Sequence, residues 1–408
     1  MGTAERISAL EKEEKSAQKE KNTIAKEKTV SSDRGWGCDF GCACKWRLMA
    51  LIVFVPAIVC HIFGAVTFLV FAAFIVLALY AYASFSVLSD NTLSKDIASL
   101  RAAFGAAYMD ALAKQFDAKQ VCEYYTRTTD RDYGLLEAFV GPGLHTQLHA
   151  AQPIGFQCGG TRQPAFVLAE LRSVNATRVL EIGCGRGHCT LYLAGAAPDV
   201  SFMGIDLVPR HISVARDAAS KGGYSNVSFH VSDVSNLRSE GKEWGKFDII
   251  FGCEALCHMD TTESATAFTH WASTVLRPGG RLVIIDGFRS DMLDRCSPDQ
   301  QTAMLLAESG FRIRAMPSKA LWRQLAVQSG FHDSPLRDID LTKEALPFWT
   351  RGWRVARVVL LFPSLVHAFM MSSKSRRETA SSLMSVATTA HAMHSGSAEY
   401  GMLVFHKI

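Results

Sequence analysis

An acidic residue followed by three alternating glycines is the clearest chemical signal in the sequence. In the segment LEIGCGRGHC, Glu181 precedes Gly183, Gly185 and Gly187. A glycine-rich turn after a strand lets a ligand approach the backbone closely. The dinucleotide fingerprint G-x-G-x-x-G would need a glycine where His188 stands. The spacing therefore predicts a ligand without a pyrophosphate, whose ammonium group an acid near the strand end can meet.

The segments around this loop predict the elements that position it. From residue 178 onward, RVLEIG, FMGID, VSFHVSD, FDIIFGC and RLVIID are short apolar strands separated by helical patterns. LRDIDL and the terminal EYGMLVFHKI supply two further strands. Strands that alternate with helices predict the α/β class, a doubly wound seven-stranded Rossmann-like sheet whose strands run parallel, with helices on both faces.

Two acids and a glycine turn follow the predicted strands in order, at Asp206, at Asp233 and in the segment LRPGGRLVIID. With the glycine loop, they make residues 165–408 resemble the class I S-adenosylmethionine-dependent methyltransferases. The resemblance implies S-adenosylmethionine as cofactor, with Asp206 accepting both ribose hydroxyls and Asp233 meeting the adenine amino group. The cofactor-binding residues that it implies are Glu181, Gly183, Gly185, Gly187, Asp206 and Asp233.

The segment CEALCHM, after the fourth predicted strand, gives information about the molecule that would accept the methyl group. It resembles the EATCH segment of the sterol C-methyltransferases and their tocopherol methyltransferase-like relatives, through Glu254, Ala255, Cys257 and His258. The resemblance implies a lipophilic small-molecule acceptor and makes Glu254 and His258 candidates for proton transfer. Glu254 could instead orient a ligand, and His258 could be a packed histidine. Tyr133 is a third catalytic candidate, for which lining of a pocket is the alternative.

Two chemistries fit these residues. Methylation of an alkene creates a carbocation, which aromatic faces stabilise and a base quenches. Methylation of a hydroxyl, ring carbon or amine, as on a phenol or a polar headgroup, needs a base mainly to free the nucleophile. A membrane regulator that binds S-adenosylmethionine without turnover is the alternative from another class.

A long uncharged segment predicts a membrane anchor. From Leu48 to Leu88, 41 positions carry no Asp, Glu, Lys or Arg. This is about twice the roughly 20 residues that cross a bilayer, so a helical hairpin or two transmembrane helices are expected. Lys45 and Arg47 predict a cytosolic near flank, and an even number of crossings keeps the catalytic domain in the cytosol, on an endomembrane such as the endoplasmic reticulum. The alternative is a buried helical hairpin of a soluble protein.

The predicted organisation has four parts. They are a charged tail at 1–34, the anchor at 35–90, a helical substrate-lining cap at 91–164 and the catalytic domain at 165–408. In the C-terminal part, Trp349 and Trp353 lie among arginines, which suits either a bilayer interface or an ordinary lid helix.

Charge and histidine content exclude two classes of function. The net charge of +4, without a basic stripe interleaved with aromatics, argues against nucleic acid as a partner. The segment HAMH offers two histidines and no third ligand, so no metal site is predicted. The sequence leaves the oligomeric state open.

Overall fold

The computed structural model describes residues 72–105, 118–128, 162–234 and 244–408. The chain divides into two compact units, Met1–Ala78 and Leu79–Ile408. The described residues of the first unit are 72–78, which begin helix α1 (Ala72–Ser84). All the described strands lie in the second unit.

Three described helices separate α1 from the first strand: α2 (Asp90–Phe104), α3 (Ala118–Thr128) and α4 (Arg162–Ser173). Helix α2 begins at a capping box, in which the side chains of Ser89 and Thr92 each accept a hydrogen bond from the other residue's backbone N–H. The prediction that this region is helical is confirmed for these three segments.

Seven strands form one sheet in the order β3-β2-β1-β4-β5-β7-β6. The strands are β1 (Arg178–Ile182), β2 (Ser201–Asp206), β3 (Val227–Val231), β4 (Phe247–Cys253), β5 (Leu276–Arg289), β6 (Arg337–Asp340) and β7 (Ala398–His406). Strands β1 to β5 are parallel, so the carboxyl ends of these strands share one edge of the sheet.

Strand β7 corrects the prediction of a parallel sheet, because it runs antiparallel to both of its neighbours. The chain enters β7 beside the carboxyl end of β5, where the backbone N–H of Ser290 donates to the carbonyl oxygen of Ser397 at 3.0 Å. A strand that enters from this edge must run opposite to β5. The sheet is therefore mixed.

Helices cover both faces of the sheet, as predicted. The described helices after β1 are α5 (His188–Ala196), α6 (Pro209–Lys221), α7 (Thr262–Val275), α8 (Pro298–Gly310), α9 (Lys319–Gln328), α10 (Thr342–Leu360), α11 (Pro363–Met371) and α12 (Lys374–Ser395). Successive strand residues point to opposite faces. Val179 and Val283 accordingly belong to a core with α4 and α5, whereas Leu180 and Leu282 belong to another with α7 and α9.

Helices α10, α11 and α12 lie between β6 and β7 in the chain and pack with α2. Their shared core includes Leu100, Phe104, Leu360, Met370 and Met384. This packing places the C-terminal helices against the segment that precedes the sheet.

Trp349 and Trp353 lie on the inner side of α10, where they are 5% and 0% exposed. The indole Nε1 of Trp353 donates to Oδ2 of Asp96 on α2 at 2.8 Å. The prediction that these two tryptophans could enter a bilayer interface is wrong, because the inward face of the helix buries both of them. Their position fits the alternative prediction of a packed helix.

The predicted anchor falls mostly outside the described residues, since residues 48–71 are not among them. Within the described part of the chain, no single helix is long and apolar enough to cross a membrane. The pair α10 and α11, bent by 88°, passes that test by length and composition. Leu88, the last residue of the uncharged segment, is 9% exposed and belongs to the core of the second unit.

Candidate active site

The glycine loop between β1 and α5 combines tight packing with one open position. Gly183, Gly185 and Gly187 have φ values of 65°, 53° and 81°, which side chains rarely adopt. A Cβ on Gly183 would lie 2.3 Å from the Cβ of Ala255, and one on Gly187 would lie 2.8 Å from the Cβ of Ala215. A Cβ on Gly185 would meet nothing within 4 Å. The first and third glycines are therefore needed for packing, and the second faces space that a ligand can enter.

Glu181, on β1, lies beneath this loop and is 3% exposed. Its Oε2 accepts a hydrogen bond from the Thr190 hydroxyl of α5. Burial raises the pKa of Glu181 to about 8, and the nearby charge of Asp206 adds to the rise, while the bonds from Thr190 oppose it. A cationic group placed beside Glu181 would stabilise its carboxylate. The predicted contact with a ligand ammonium stays a prediction.

Asp206 ends β2 and ties the glycine loop to the second strand. Its Oδ2 accepts from the backbone N–H of Gly185 at 2.8 Å, and its Oδ1 accepts from that of Val208 at 2.8 Å. Nδ1 of His211, on the first turn of α6, lies 3.1 Å from the same Oδ1. A carboxylate offers about four acceptor positions, so these three bonds leave room for a further donor from a ligand.

Asp233 follows β3 and comes to the same edge of the sheet. The backbone N–H of the preceding Ser232 donates to the carbonyl oxygen of Asp206 at 3.1 Å. The structure therefore brings the segments of the two predicted acids together. The role of Asp233 in binding a ligand stays a prediction.

Glu254 immediately follows β4 and has a φ of 54°, a left-handed conformation that a non-glycine residue seldom adopts. Its backbone N–H donates to the carbonyl oxygen of Ile285 at 2.8 Å, which fixes the turn against β5. Its Oε1 accepts hydrogen bonds from Nε2 of Gln163 at 2.6 Å and from the hydroxyl of Tyr400 at 2.9 Å. The carboxylate is thus held by donors from α4 and β7.

Asp286, at the carboxyl end of β5, lies near Glu254. It is 2% exposed and accepts hydrogen bonds from the backbone N–H groups of Cys257 and Gly287, at 2.9 and 2.8 Å. Burial raises the pKa of Asp286 to about 7, and the charge of Glu254 raises it further, while the backbone donors oppose the shift. Burial also raises the pKa of the Tyr400 hydroxyl well above its usual value, so this group donates to Glu254 as a neutral phenol.

His258 ends a short 3₁₀ helix, Leu256–His258, at the same edge. Its Nε2 lies 2.9 Å from the hydroxyl oxygen of Tyr125, and the two rings meet edge to face. Tyr125 comes from α3, whose Cys122 approaches the carbonyl oxygen of Leu207 beyond β2. Helix α3 therefore covers the edge between the second and fourth strands.

Tyr125 connects the two halves of the site. Its ring centroid lies 5.5 Å from that of His258 and 6.4 Å from that of His211, the partner of Asp206. A tyrosine hydroxyl that both donates and accepts can pass a proton between a ligand and an imidazole. The arrangement can therefore remove a proton from a ligand held beside the glycine loop.

The structure brings together all the predicted site residues that it describes. Tyr133 lies outside the described residues. The site residues predicted from the sequence did not include Gln163, Tyr400, Tyr125 and His211. His211 carried a signal, since it stands five positions after Asp206 at the start of a helix, and Tyr125 belongs to an aromatic segment. Gln163 and Tyr400 carried none, because contacts over such chain separations leave no local pattern.

Histidine, cysteine and carboxylate side chains do not converge on a metal position anywhere in the described ranges. The cysteines near the site, Cys184, Cys189, Cys253 and Cys257, are buried free thiols. Burial raises the pKa of the Cys257 thiol well above its usual value, with help from the charge of Asp286. A thiol in this state is a poor nucleophile.

The central part of the chain matches a known family. Residues 173–325 match the family described as a methyltransferase domain. The 27-O-demethylrifamycin SV methyltransferase of Amycolatopsis mediterranei is 34% identical over 221 residues, which are 53% of this chain and 76% of that protein. The chloroplastic tocopherol O-methyltransferase of Arabidopsis thaliana is 25% identical over 272 residues, 63% of this chain and 74% of that protein. Other relatives are named as N-methyltransferases and one as a Diels–Alderase.

Solved structures support the same fold. A putative sarcosine dimethylglycine methyltransferase from Galdieria sulphuraria superposes with a TM-score of 0.51 at 17% identity, over 68% of this chain and 98% of that chain. At this identity the likeness concerns the fold alone. The seven-stranded sheet and the helices on its faces are thus those of a known architecture.

Proposed function

Since this chain belongs to the S-adenosylmethionine-dependent methyltransferases, we propose that it methylates a hydroxyl group of a lipophilic small molecule at a membrane. The family and its cofactor are established by the methyltransferase domain and by the relatives. The acceptor and the membrane are the proposed parts. One observation carries the choice of acceptor atom: the hydroxyl of Tyr125 lies 2.9 Å from Nε2 of His258 at the carboxyl edge of the sheet.

The glycine loop and its partners fit S-adenosylmethionine. Gly185 faces open space beside β1, and Asp206 retains acceptor capacity for a ribose diol. Glu181 is a buried carboxyl that a neighbouring ammonium group would ionise, since its pKa is raised to about 8. Asp233 follows β3 and would accept a hydrogen bond from the adenine amino group. These residues would hold the cofactor, which supplies an electrophilic methyl group when bound.

His258 and Tyr125 would free the nucleophile. With the imidazole proton on Nδ1, the Tyr125 hydroxyl donates to Nε2 of His258. The oxygen of Tyr125 can then accept a hydrogen bond from the hydroxyl of the acceptor molecule. The acceptor's proton would pass to Tyr125 as the proton of Tyr125 passes to His258, which leaves an imidazolium ion. General-base catalysis of this kind contributes about 10²–10⁴-fold to a rate.

Glu254 fits a positioning role better than that of the base. Gln163 and Tyr400 both donate to its Oε1, and its backbone is fixed by a hydrogen bond to β5. A carboxylate held in this way orients the segment that carries His258. Glu254 would thus keep the imidazole of His258 at the edge of the sheet.

The lipophilic acceptor is inferred from two sources. The relatives named above methylate a rifamycin and a tocopherol, according to their names, and both names specify O-methylation. The uncharged stretch that begins at Leu48 would provide an anchor long enough for a helical hairpin. An enzyme held at a bilayer can take such an acceptor without its passage through water.

Methylation of a carbon is the second candidate. The segment from Glu254 to His258 resembles that of the sterol C-methyltransferases, and His258 could also remove the proton that quenches a carbocation. The two candidates differ in their product, since a methyl ether contains a methyl group on oxygen and an alkylated alkene does not. Product analysis therefore separates them.

The test uses the full chain, S-adenosylmethionine labelled in its methyl group and a lipid extract of the host. We expect label in an extractable lipid, at a position that mass spectrometry assigns to an ether oxygen. His258→Ala and Tyr125→Phe should lower turnover by about 100-fold and about 10-fold, while cofactor binding is kept. The matched controls are His270→Ala, an exposed histidine of α7, and Tyr192→Phe, a partly buried tyrosine of α5.

Each outcome bears on a separate part of the proposal. Label on carbon would favour the second candidate. Cofactor binding without label in any lipid would contradict the proposed acceptor class. Normal turnover in both His258→Ala and Tyr125→Phe would show that the acid–base pair lies elsewhere.

A further inference from the structure

The outer side of α10 and α11 carries large apolar side chains that no described element covers. The exposed fractions of these side chains range from 40% to 66%. They are Val355, Val359, Leu361, Leu365, Phe369 and Met371, called here the α10–α11 surface. Isolated exposed apolar residues are ordinary, but Val355 and Val359 on α10, and Leu365 and Phe369 on α11, are each four positions apart and so share one side of their helix. A set of exposed apolar side chains on one side of a helix indicates an interaction site.

The inner side of the same helices is already occupied. Leu360, Val366 and Met370 are buried in the core that α10 and α11 share with α2 and α12. The two helices also meet at 88°. A pair that is bent and packed on one side cannot cross a bilayer as an independent span. Only its outer side is available, which suits a helix that lies in the plane of an interface.

The charged residues nearest in sequence to these apolar side chains are basic, and the nearest acids are Glu344 and Glu378. Residues 345–377 contain no Asp or Glu and six Lys or Arg residues. Arg351 and Arg376 are exposed on either side of the apolar run, and the guanidinium of Arg376 lies 5.3 Å from the ring centroid of Phe369. Between residues 355 and 373 the charged residue is Arg357, which turns inward to Asp96 at 3.1 Å. An apolar surface flanked by cations is complementary to anionic headgroups over acyl chains.

The end of the uncharged segment lies beside this surface. Arg357 donates to the Ser86 hydroxyl at 2.9 Å and lies 5.2 Å from the ring centroid of Tyr82. The neighbouring Phe85 and Val87 are 84% and 70% exposed. These residues are the last part of the charge-free stretch. A chain that leaves a bilayer at this point would bring the α10–α11 surface to the same bilayer.

We propose that the α10–α11 surface, together with Phe85 and Val87, rests in the headgroup and acyl boundary of an anionic bilayer. This deepens the proposed function and rests on its membrane location. It adds a second contact, made by the catalytic unit itself, which fixes the orientation of that unit. Amphipathic helices that bind in this way bury their apolar side about 5–10 Å into the boundary.

The test measures contact with lipid at single positions of the full chain. A small environment-sensitive fluorescent amino acid is introduced at Leu365 or at Phe369, and the protein is reconstituted into nanodiscs of phosphatidylcholine and phosphatidylserine at 3:1. A second set of nanodiscs carries brominated acyl chains, which quench by contact. The matched control is Val327 on α9, an apolar side chain that is 47% exposed and belongs to the opposite face of the sheet.

Quenching at Leu365 and Phe369, without quenching at Val327, is the expected result. Equal quenching at all three positions, or none at the first two, would overturn the inference. An apolar environment at Leu365 that depends on protein concentration and not on brominated lipid would assign the surface to a second copy, which also overturns it. Retained binding of S-adenosylmethionine shows that each labelled chain is folded. Failure of the proposed function would appear separately, as absence of methyl label in lipid.

Discussion

Glu181 makes the stability of the protein without cofactor depend on pH. The substitution Glu181→Gln removes a carboxyl whose pKa is raised from 4.5 to about 8 by burial. The folded state binds this proton more tightly than the unfolded chain does. The contribution of the group to stability is therefore fully present below pH 4.5 and is lost as the pH rises through 8.

The magnitude follows from the two pKa values. Between pH 5 and pH 8, linkage predicts that the wild-type protein loses about 3–4 kcal/mol of unfolding free energy through this one group. The glutamine of the variant would place its amide donors beside Thr190, which costs about 1–3 kcal/mol at every pH. The difference in unfolding free energy between pH 5 and pH 8 therefore isolates the titration of Glu181, whereas the unfolding free energy at a single pH does not.

Thermal unfolding of the full chain in detergent, at a fixed scan rate, measures this change. The wild-type midpoint should fall from pH 5 to pH 8 by at least about 6 °C more than that of Glu181→Gln, at roughly 2 °C per kcal/mol for a large unit. Asp217→Asn is the matched control, because it neutralises an exposed carboxylate of α6. Its profile should follow the wild type.

S-adenosylmethionine extends the same measurement. A ligand ammonium beside Glu181 would lower the pKa of this carboxyl, so saturating cofactor should flatten the wild-type profile and leave that of Glu181→Gln unchanged in slope. Parallel profiles of the two proteins without cofactor would refute the burial argument. A wild-type slope that the cofactor does not alter would refute the predicted ammonium contact alone.

Three further predictions concern the loop, the second strand and the C-terminal helices. Asp206→Asn should weaken S-adenosylmethionine binding in calorimetry by about 1–3 kcal/mol, because the carboxylate loses an acceptor, and wild-type affinity would contradict its role. Gly185→Ala should lower the unfolding free energy by only about 1 kcal/mol, because alanine is strained at the positive φ of this position. It should also impair cofactor binding, since the added Cβ would enter the open space beside the loop. Intact binding would show that the ligand approaches the protein elsewhere. Trp353→Phe should lower the unfolding free energy by about 1–3 kcal/mol more than Trp271→Phe, because Trp353 donates to the buried Asp96 whereas the indole N–H of Trp271 has no partner among the described residues. Equal melting shifts of the two variants would show that the bond to Asp96 contributes nothing.

The layers of the central fold and the position of the glycine loop could be predicted from the sequence because their signals are local. The alternation of strands and helices predicted the layers, and the G-x-G-x-G spacing predicted the loop at β1. Asp206 and Asp233 could be placed because an acid at the end of a parallel strand must reach the shared edge. Each of these inferences depends on a few neighbouring residues. The direction of β7 was predicted wrongly, since it depends on where α12 ends.

The acid–base part of the site needed the tertiary structure. Glu254 and His258 were named from their segment, but their partners Tyr400 and Tyr125 lie 146 and 133 positions away in the chain. Such partners decide whether a carboxylate takes part in proton transfer or only holds a neighbouring segment in place, because they set its hydrogen bonds and its burial. No local pattern records them.

The C-terminal helices show the same division. Their sequence has aromatic and basic residues next to an apolar run. It therefore allowed Trp349 and Trp353 to lie either at a bilayer interface or in a lid helix. Tertiary packing decided between them, since it buried both tryptophans and left Leu365 and Phe369 exposed. Sequence determines which residues can form an apolar face, because helical periodicity is local. Which face is covered is decided only when distant helices meet, because burial belongs to the assembled core and not to any one segment.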